Sequence, residues 1–176
     1  ARALVEASAR SYARAWRLHF GREHDPMAIR GERNAFRYRP CRRVIARGRT
    51  PRTETTAALC QVLLAACVTG TPLTLSLTPD SGPVDWVRDL GGVDLVVEAE
   101  AGFVERLAHP GEAERVRAWE PVSMAVRAAA NATRLAVIDA PVLASGRLEL
   151  RWYLREQAVS HVLHRYGSMA EPAATE

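Results

Sequence analysis

Residues Leu73 to Val97 read LTLSLTPDSGPVDWVRDLGGVDLVV, and this stretch decides the fold class of the chain. Leu73–Leu77 and Val93–Val97 have the composition of short strands, and Val84–Leu90 between them reads as a short helix. A strand, a helix and a second strand in this order form the unit from which parallel sheets are built. Because Val93–Val97 is nearly all apolar, we expect it to be buried on both faces of the sheet.

The same alternation of strand and helix continues on both sides of this unit. Further helices are predicted at Thr53–Thr69, Gly102–Ala108 and Pro121–Ala130, and further strands at Arg115–Trp119 and Leu135–Asp139. Such alternation predicts an α/β fold, with a mostly parallel, Rossmann-like sheet flanked by helices.

Two segments precede this body. Ala3–Phe20 carries apolar residues at steps of three and four and arginines on the other side, which predicts an amphipathic helix that ends at Gly21. Gly31–Arg47 alternates as strands do, with Phe36 and Tyr38 on one face, and Pro40 bends it.

The C-terminal stretch Gly146–Gly167 reads GRLELRWYLREQAVSHVLHRYG and changes its period. Its first part has helical spacing, and after Gln157 it alternates as an extended flap does. Neither face of the flap is cleanly apolar or cleanly polar, which is unusual for a strand on its own core. We therefore predict an interface element that another domain or subunit covers.

These elements predict an organisation in four parts. Residues 1–30 form an N-terminal helix and linker, residues 31–145 the Rossmann-like body, residues 146–168 the helix and interface flap, and residues 169–176 a disordered tail. A chain of 176 residues with 48% apolar residues can build one ordinary hydrophobic core.

Charge and hydropathy exclude several classes of protein. All 24 cationic side chains are arginine, and they are dispersed among 20 acidic residues with a net charge of +4. No nucleic-acid-binding motif accompanies them, so we expect no nucleic-acid partner. Long apolar runs are absent and charges interrupt Ala1–Phe20, so we predict neither a membrane span nor a secretory signal, and a cytoplasmic location.

Cysteine and histidine patterns predict no metal and no nucleophile. Cys60 and Cys67 lie within an apolar helical pattern, where cysteine is usually a small core residue, and Cys41 has no activating motif nearby. His161 and His164 would lie on opposite faces of a strand, so they could not bind a metal together unless the segment were helical. The carboxylates Asp94, Glu98 and Glu100 are interpreted as a solvated strand edge, and we predict no catalytic residue in this chain.

The nucleotide-binding signal of a Rossmann-like fold is weak here. After the strand that ends near Arg47 the chain reads GRTPRT from Gly48, with one glycine where the dinucleotide fingerprint needs three. Arg49 and Arg52 beside a helix N-terminus leave open an alternative, a free-standing small-ligand-binding protein or enzyme that uses the carboxyl edge of the sheet.

Three passages carry a resemblance to a known family. DPMAIRGERNAFRYRP from Asp25, LAVIDAPVLASGRLEL from Leu135 and YLREQAVSHVLHRYG from Tyr153 resemble the C-terminal portion of long bacterial proline utilization A proteins and related long glutamate-γ-semialdehyde (Δ1-pyrroline-5-carboxylate) dehydrogenases. The resemblance extends from about Trp16 to Ser168.

The resemblance implies a noncatalytic C-terminal domain of an aldehyde dehydrogenase-like fold. Such a domain would dock on the NAD-dependent aldehyde dehydrogenase domain of the same polypeptide or complex and help to close its cavity. Homo-oligomerisation through the flap is a further possibility of this arrangement. NAD and FAD would belong to the parent enzyme, with no cofactor in this chain. The motif residues that the resemblance makes interface residues are Tyr153, Leu154, Arg155, Glu156, Gln157, Ser160, His164, Arg165, Tyr166 and Gly167.

Overall fold

The structure is a computed structural model that describes residues 1–50, 53–162, 164–165 and 168–169. For residues 53, 54, 164, 165, 168 and 169 the description covers the backbone. The helices are α1 (Arg2–Ala15), α2 (Thr53–Thr69), α3 (Glu100–Ala108), α4 (Met124–Ala132) and α5 (Gly146–Glu149), with a π-helical turn at Trp16–Phe20 and 3-10 turns at Asp85–Asp89 and Leu150–Tyr153. The strands are β1 (Glu32–Pro40), β2 (Val44–Gly48), β3 (Leu73–Leu77), β4 (Val93–Val97), β5 (Arg115–Ala118), β6 (Ala136–Ile138), β7 (Leu154–Val162), β8 (His164–Arg165) and β9 (Ser168–Met169).

The centre of the fold is a five-stranded parallel sheet with strand order β4-β3-β2-β5-β6. The chain first builds outward from β2 to β4 and then returns to the other side of β2 with β5. This reversal produces a topological switch point between β2 and β5, the place where open α/β sheets usually bind ligands. The predicted α/β, Rossmann-like class is confirmed.

Alternate residues of the central strand β2 contribute to two separate cores, one on each face of the sheet. Val44 and Ala46 of β2 pack with α2 and with the leucines of β3, whereas Ile45 packs with Phe103 and other side chains of α3 and α4. Helices therefore cover both faces, and α1 lies over α2. No helix within the described residues has the length and hydropathy needed to cross a membrane.

Two expectations about burial are wrong. Val93–Val97 forms the edge strand β4, and none of its residues is buried, because the sheet ends there and the strand has a neighbour on one side only. Cys67 is exposed near the C-terminal end of α2 and is no core residue, while Cys60 is half-buried and Cys41 is buried.

Several predicted boundaries shift. The helix predicted at Pro121–Ala130 begins only at Met124, where the Ser123 hydroxyl accepts a hydrogen bond from the Val126 N–H and caps the helix. The helix predicted at Gly102 begins at Glu100. The flap is extended from Leu154 onward, not from Ala158, because the 3-10 turn Leu150–Tyr153 already ends the helical part.

The N-terminal helix is held against the C-terminal part of the body. α1 continues without a break into the π-helical turn, so the predicted helix to Phe20 is confirmed with a change of winding. A Cβ at Gly146 would lie 2.6 Å from the carbonyl oxygen of Ser11 and 2.8 Å from the Cα of Tyr12. Glycine at position 146 thus allows the backbones of α1 and α5 to approach closely.

Candidate functional site

The candidate functional site is the β1–β7 ribbon, formed by Glu32–Pro40 and Leu154–Val162. The two strands pair antiparallel from Glu32↔Val162 at one end to Pro40↔Leu154 at the other, separately from the parallel sheet. All residues of β7 after Leu154 are exposed, including Val159 at 41% and Val162 at 56%. The predicted flap is therefore one strand of a long two-stranded ribbon, and within the described residues the outer edge of β7 has no partner strand.

Side chains within the ribbon hold the register. Arg37 Nε donates a hydrogen bond of 2.8 Å to the Gln157 side-chain oxygen, and the Ser160 hydroxyl donates one of 2.6 Å to the Asn34 side-chain oxygen. Both pairs are direct register partners, so each bond favours this pairing over a slipped one.

The ribbon is fixed to the body at the Pro40–Leu154 end, which we call the root. Tyr153 is 0% exposed and Leu154 is 2% exposed, and both belong to the core on the α2 side of the sheet. The Tyr153 carbonyl accepts hydrogen bonds from the Cys41 N–H at 2.9 Å and from the Thr71 hydroxyl at 2.8 Å. The ribbon is therefore attached to the body through buried side chains and backbone hydrogen bonds at the root.

A buried ion pair lies directly behind this root. Arg117 on β5 and Glu149 on α5 are both 0% exposed and form two hydrogen bonds, at 2.8 and 3.0 Å. Arg117 also donates to carbonyl oxygens, including that of Ala140 at 2.7 Å, and the Leu143 N–H donates to Glu149 at 3.1 Å. Burial acts to lower the pKa of Arg117, but the hydrogen bonds and charge of Glu149 outweigh it and raise that pKa.

The ten predicted interface residues divide into four groups. Arg155, Glu156, Gln157 and Ser160 are exposed on the arm, as a contact surface requires. Tyr153 and Leu154 are buried in the core of their own chain, so their role as contact residues is corrected to anchoring. His164 and Arg165 pair with β9 as β8, and their side chains are outside the description. Tyr166 and Gly167 lie outside the described residues.

The structure describes no metal site. His161 lies opposite Arg33 on the exposed ribbon, and no group of three or more metal-ligating side chains occurs among the described residues. Cys41 is buried, and burial raises the pKa of its thiol to about 11, so it lacks the thiolate character of a nucleophile.

The switch-point crevice between β2 and β5 is filled in part by the chain itself. The Trp119 indole lies against Gly48, where a Cβ would be 2.0 Å from the ring, and its N–H donates to the Arg49 carbonyl at 3.1 Å. The remaining cleft of about 370 Å³ is lined by Arg49 together with Asp80 and Glu120. Arg49 forms ion pairs with both of these carboxylates, and Arg52 lies outside the described residues.

A second group of charged side chains, around Glu98, was not predicted from the sequence. Glu98 is no solvated edge residue, because it follows β4 and accepts hydrogen bonds from Arg106 at 2.8 Å and from the Ser76 hydroxyl at 2.6 Å. Buried Arg47 donates to the same hydroxyl at 2.8 Å. Among the described residues, the charges at this edge of the sheet therefore neutralise one another, and these residues form no cationic cradle for a phosphate.

Comparisons with known proteins agree with this architecture. The chain is similar to the solved structure of Proline Utilization A (PutA) from Corynebacterium freiburgense, with 31% sequence identity, a TM-score of 0.64, and coverage of 94% of this chain and 14% of that one. The chain has a PutA-related fold. It corresponds to a small part of that much longer protein.

Histidinol dehydrogenase from Elizabethkingia anophelis shares the fold at 14% identity, with a TM-score of 0.54 and coverage of 80% of this chain and 35% of that one. This likeness concerns the fold alone. No family model matches the chain, and no curated protein matches it.

Proposed function

We propose that this chain is a noncatalytic C-terminal domain of a proline-catabolic, NAD-dependent glutamate-γ-semialdehyde dehydrogenase. In this proposal the β1–β7 ribbon docks on the aldehyde dehydrogenase domain of the same polypeptide or complex and helps to close its cavity. NAD and FAD belong to the other domains, and the whole acts in the cytoplasm. The observation that carries the proposal is the exposed ribbon on a PutA-related fold.

The physical properties of the ribbon support a docking role. A two-stranded ribbon is only marginally stable in water, and an unpaired strand edge invites pairing with another chain. Here β7 exposes eight consecutive residues after Leu154, with two partly exposed valines among them. A partner that covers this strand would remove apolar surface from water and give the free edge hydrogen-bond partners.

The root supports the same role from the other side. Tyr153 and Leu154 are buried, and the Arg117–Glu149 pair lies behind them. An arm held at one rigid point presents its exposed residues in a defined direction, which lowers the entropic cost of docking.

The narrowed crevice and its paired charges argue against the alternative of a small-ligand site at the carboxyl edge. Trp119 occupies the space beside Gly48, and Arg49 is neutralised by Asp80 and Glu120. The proposal therefore predicts that the isolated chain binds neither NAD nor acidic metabolites saturably in an equilibrium titration. Saturable binding of either would favour the alternative.

The decisive test is association with an aldehyde dehydrogenase domain. The chain is co-expressed with the dehydrogenase portion of a PutA protein that lacks the matching segment, and complex formation is measured by sedimentation velocity. Val159→Asp places a charge on an apolar ribbon residue that is 41% exposed, and Leu4→Asp makes the same change at a residue of α1 that is 46% exposed.

We expect Val159→Asp to abolish the complex and Leu4→Asp to leave it intact. Deletion of residues 158–176 should lower association and semialdehyde oxidation together. Complex formation and oxidation that survive both Val159→Asp and the deletion would refute the docking role, and self-association of the chain alone would assign the ribbon to a homo-oligomer.

A further inference from the structure

The register of the ribbon places two arginines directly opposite each other near its root. Arg39 of β1 pairs with Arg155 of β7, so both side chains lie on the same face of the ribbon. Like charges in directly opposed positions destabilise an antiparallel pair. The pairing is therefore unfavourable for the isolated ribbon unless an anion lies between the two guanidinium groups.

Among the described residues, carboxylates neutralise this pair only in part. Arg155 shares Glu114 with Arg42, at N–O distances of 3.5 and 2.9 Å. Arg39 is exposed and forms no ion pair with any residue that the structure describes. At the root, Arg42 and Arg155 thus share one carboxylate and Arg39 has none among the described residues, which leaves an excess of positive charge there.

Further along the same face the charges are balanced differently. Arg33 and Arg37 both pair with Glu23, which lies over the distal half of the ribbon. On this face, Arg33 and Arg37 therefore each have a carboxylate partner, whereas Arg39 has none among the described residues.

Arg39 and Arg155 line a shallow notch of about 450 Å³, together with Pro40, Glu156 and Gln157. Glu156 pairs with Tyr38 in the register and so belongs to the opposite face, while Gln157 is already bonded to Arg37. The planar guanidinium fork matches the two oxygens of a carboxylate, and such charge-assisted bonds are stronger than neutral ones.

We infer that the notch between Arg39 and Arg155 binds a carboxylate side chain, an Asp or Glu, of the protein on which the ribbon docks. This inference rests on the proposed function and adds the chemistry of the contact. The repulsion between the two arginines then destabilises the ribbon of the free chain. Docking removes this repulsion, so the ribbon is more stable in the complex than alone.

Arg39→Glu separates this role from a merely structural one. The variant replaces the repulsion with a cross-strand ion pair to Arg155, so the melting temperature of the isolated chain should rise. Association with the dehydrogenase domain should weaken by about tenfold, because the contact with the partner's carboxylate is lost. Arg10→Glu, at an exposed position on α1, is the control with the same change in net charge. Association that weakens no more in Arg39→Glu than in Arg10→Glu would overturn the inference.

An anion titration of the isolated chain tests the notch without any partner. Sodium acetate is added at constant ionic strength against sodium chloride, and the Arg Nε–H resonances are followed by NMR. We expect saturable shifts at Arg39 and Arg155 with acetate, loss of the Arg155 shift in Arg39→Gln, and no saturable shift with chloride. Equal responses to the two anions would overturn the inference.

The two experiments distinguish failure of the inference from failure of the proposed function. Acetate binding without any complex in the wild type would retain the notch and refute docking on the dehydrogenase. Complex formation that is insensitive to Arg39→Glu would retain docking and refute the notch. Preferential binding of anionic phospholipid vesicles that Arg39→Glu abolishes would assign the notch to phosphate and also overturn the inference.

Discussion

Separating the Arg117–Glu149 pair should be the most costly single substitution near the ribbon root. Both side chains are 0% exposed, and they form two direct hydrogen bonds. Removing one partner of such a pair leaves a buried charge without compensation, which costs about 3–5 kcal/mol. Glu149→Leu also removes the acceptor of the Leu143 N–H. We therefore expect Glu149→Leu and Arg117→Met each to lower the free energy of unfolding by about 3–5 kcal/mol.

The double variant Arg117→Met/Glu149→Leu tests the effect of removing both charges together. Replacing a whole buried pair by apolar side chains of similar volume is often neutral or stabilising. We expect the double variant to recover most of the loss in the single variants but to stay about 1–3 kcal/mol below the wild type, because the Leu143 N–H and the Ala140 carbonyl lose their partners.

The assay is urea unfolding of all four proteins, with Glu105→Leu at an exposed position of α3 as control, where a change within about 0.5 kcal/mol is expected. Single variants that cost less than about 1 kcal/mol, or additive effects in the double variant, would refute this reasoning.

Three further predictions concern the body. Gly48→Ala should destabilise the fold by about 1–3 kcal/mol, because its Cβ would lie 2.0 Å from the Trp119 ring, while Gly91→Ala, where a Cβ meets nothing within 4 Å, should be nearly neutral in the same urea assay. Cys67 should react with a thiol reagent at pH 8 in the folded chain and Cys41 only after unfolding, since Cys67 is exposed and burial raises the pKa of Cys41 to about 11; fast labelling of Cys41 would contradict this. Burial acts to raise the pKa of Glu98, but hydrogen bonds from Arg106 and Ser76 outweigh it and lower that pKa. The ionised Glu98 side chain therefore contributes to stability above its ordinary pKa of 4.5, and this contribution is lost as the pH falls through the lower pKa of the folded state. Glu98→Gln should therefore reduce the loss of stability between pH 6 and pH 3.5, and an unchanged loss would count against this carboxylate.

The sequence was sufficient to predict most of the fold because its strands and helices carry strong periodic signals. Thr53–Thr69 and Leu73–Leu77 are predicted to the residue. The order of strands was not predictable, and Val93–Val97 shows why. An apolar composition indicates a strand that packs well, but whether it lies at the centre or the edge depends on the path of the chain between strands.

The site was predictable only in part, for a related reason. A mixed pattern on two faces correctly indicated an extended arm, because faces of this kind are rare on a strand that covers its own core. The partner strand Glu32–Pro40 lies far away in sequence, so neither the register nor the opposition of Arg39 and Arg155 could be read from local spacing. The burial of Tyr153 could not be predicted from local sequence either, because the residues that it contacts lie in distant segments.

In the proposed function, another protein domain covers the exposed strand of the ribbon. Hydrogen–deuterium exchange of the backbone amides of Ala158–Val162 tests it most directly, measured on the isolated chain and on the chain bound to the dehydrogenase portion of a PutA protein. We expect exchange across this segment to slow on binding, whereas exchange in α1 should stay unchanged. Equal exchange of Ala158–Val162 in the free and the bound chain would contradict it.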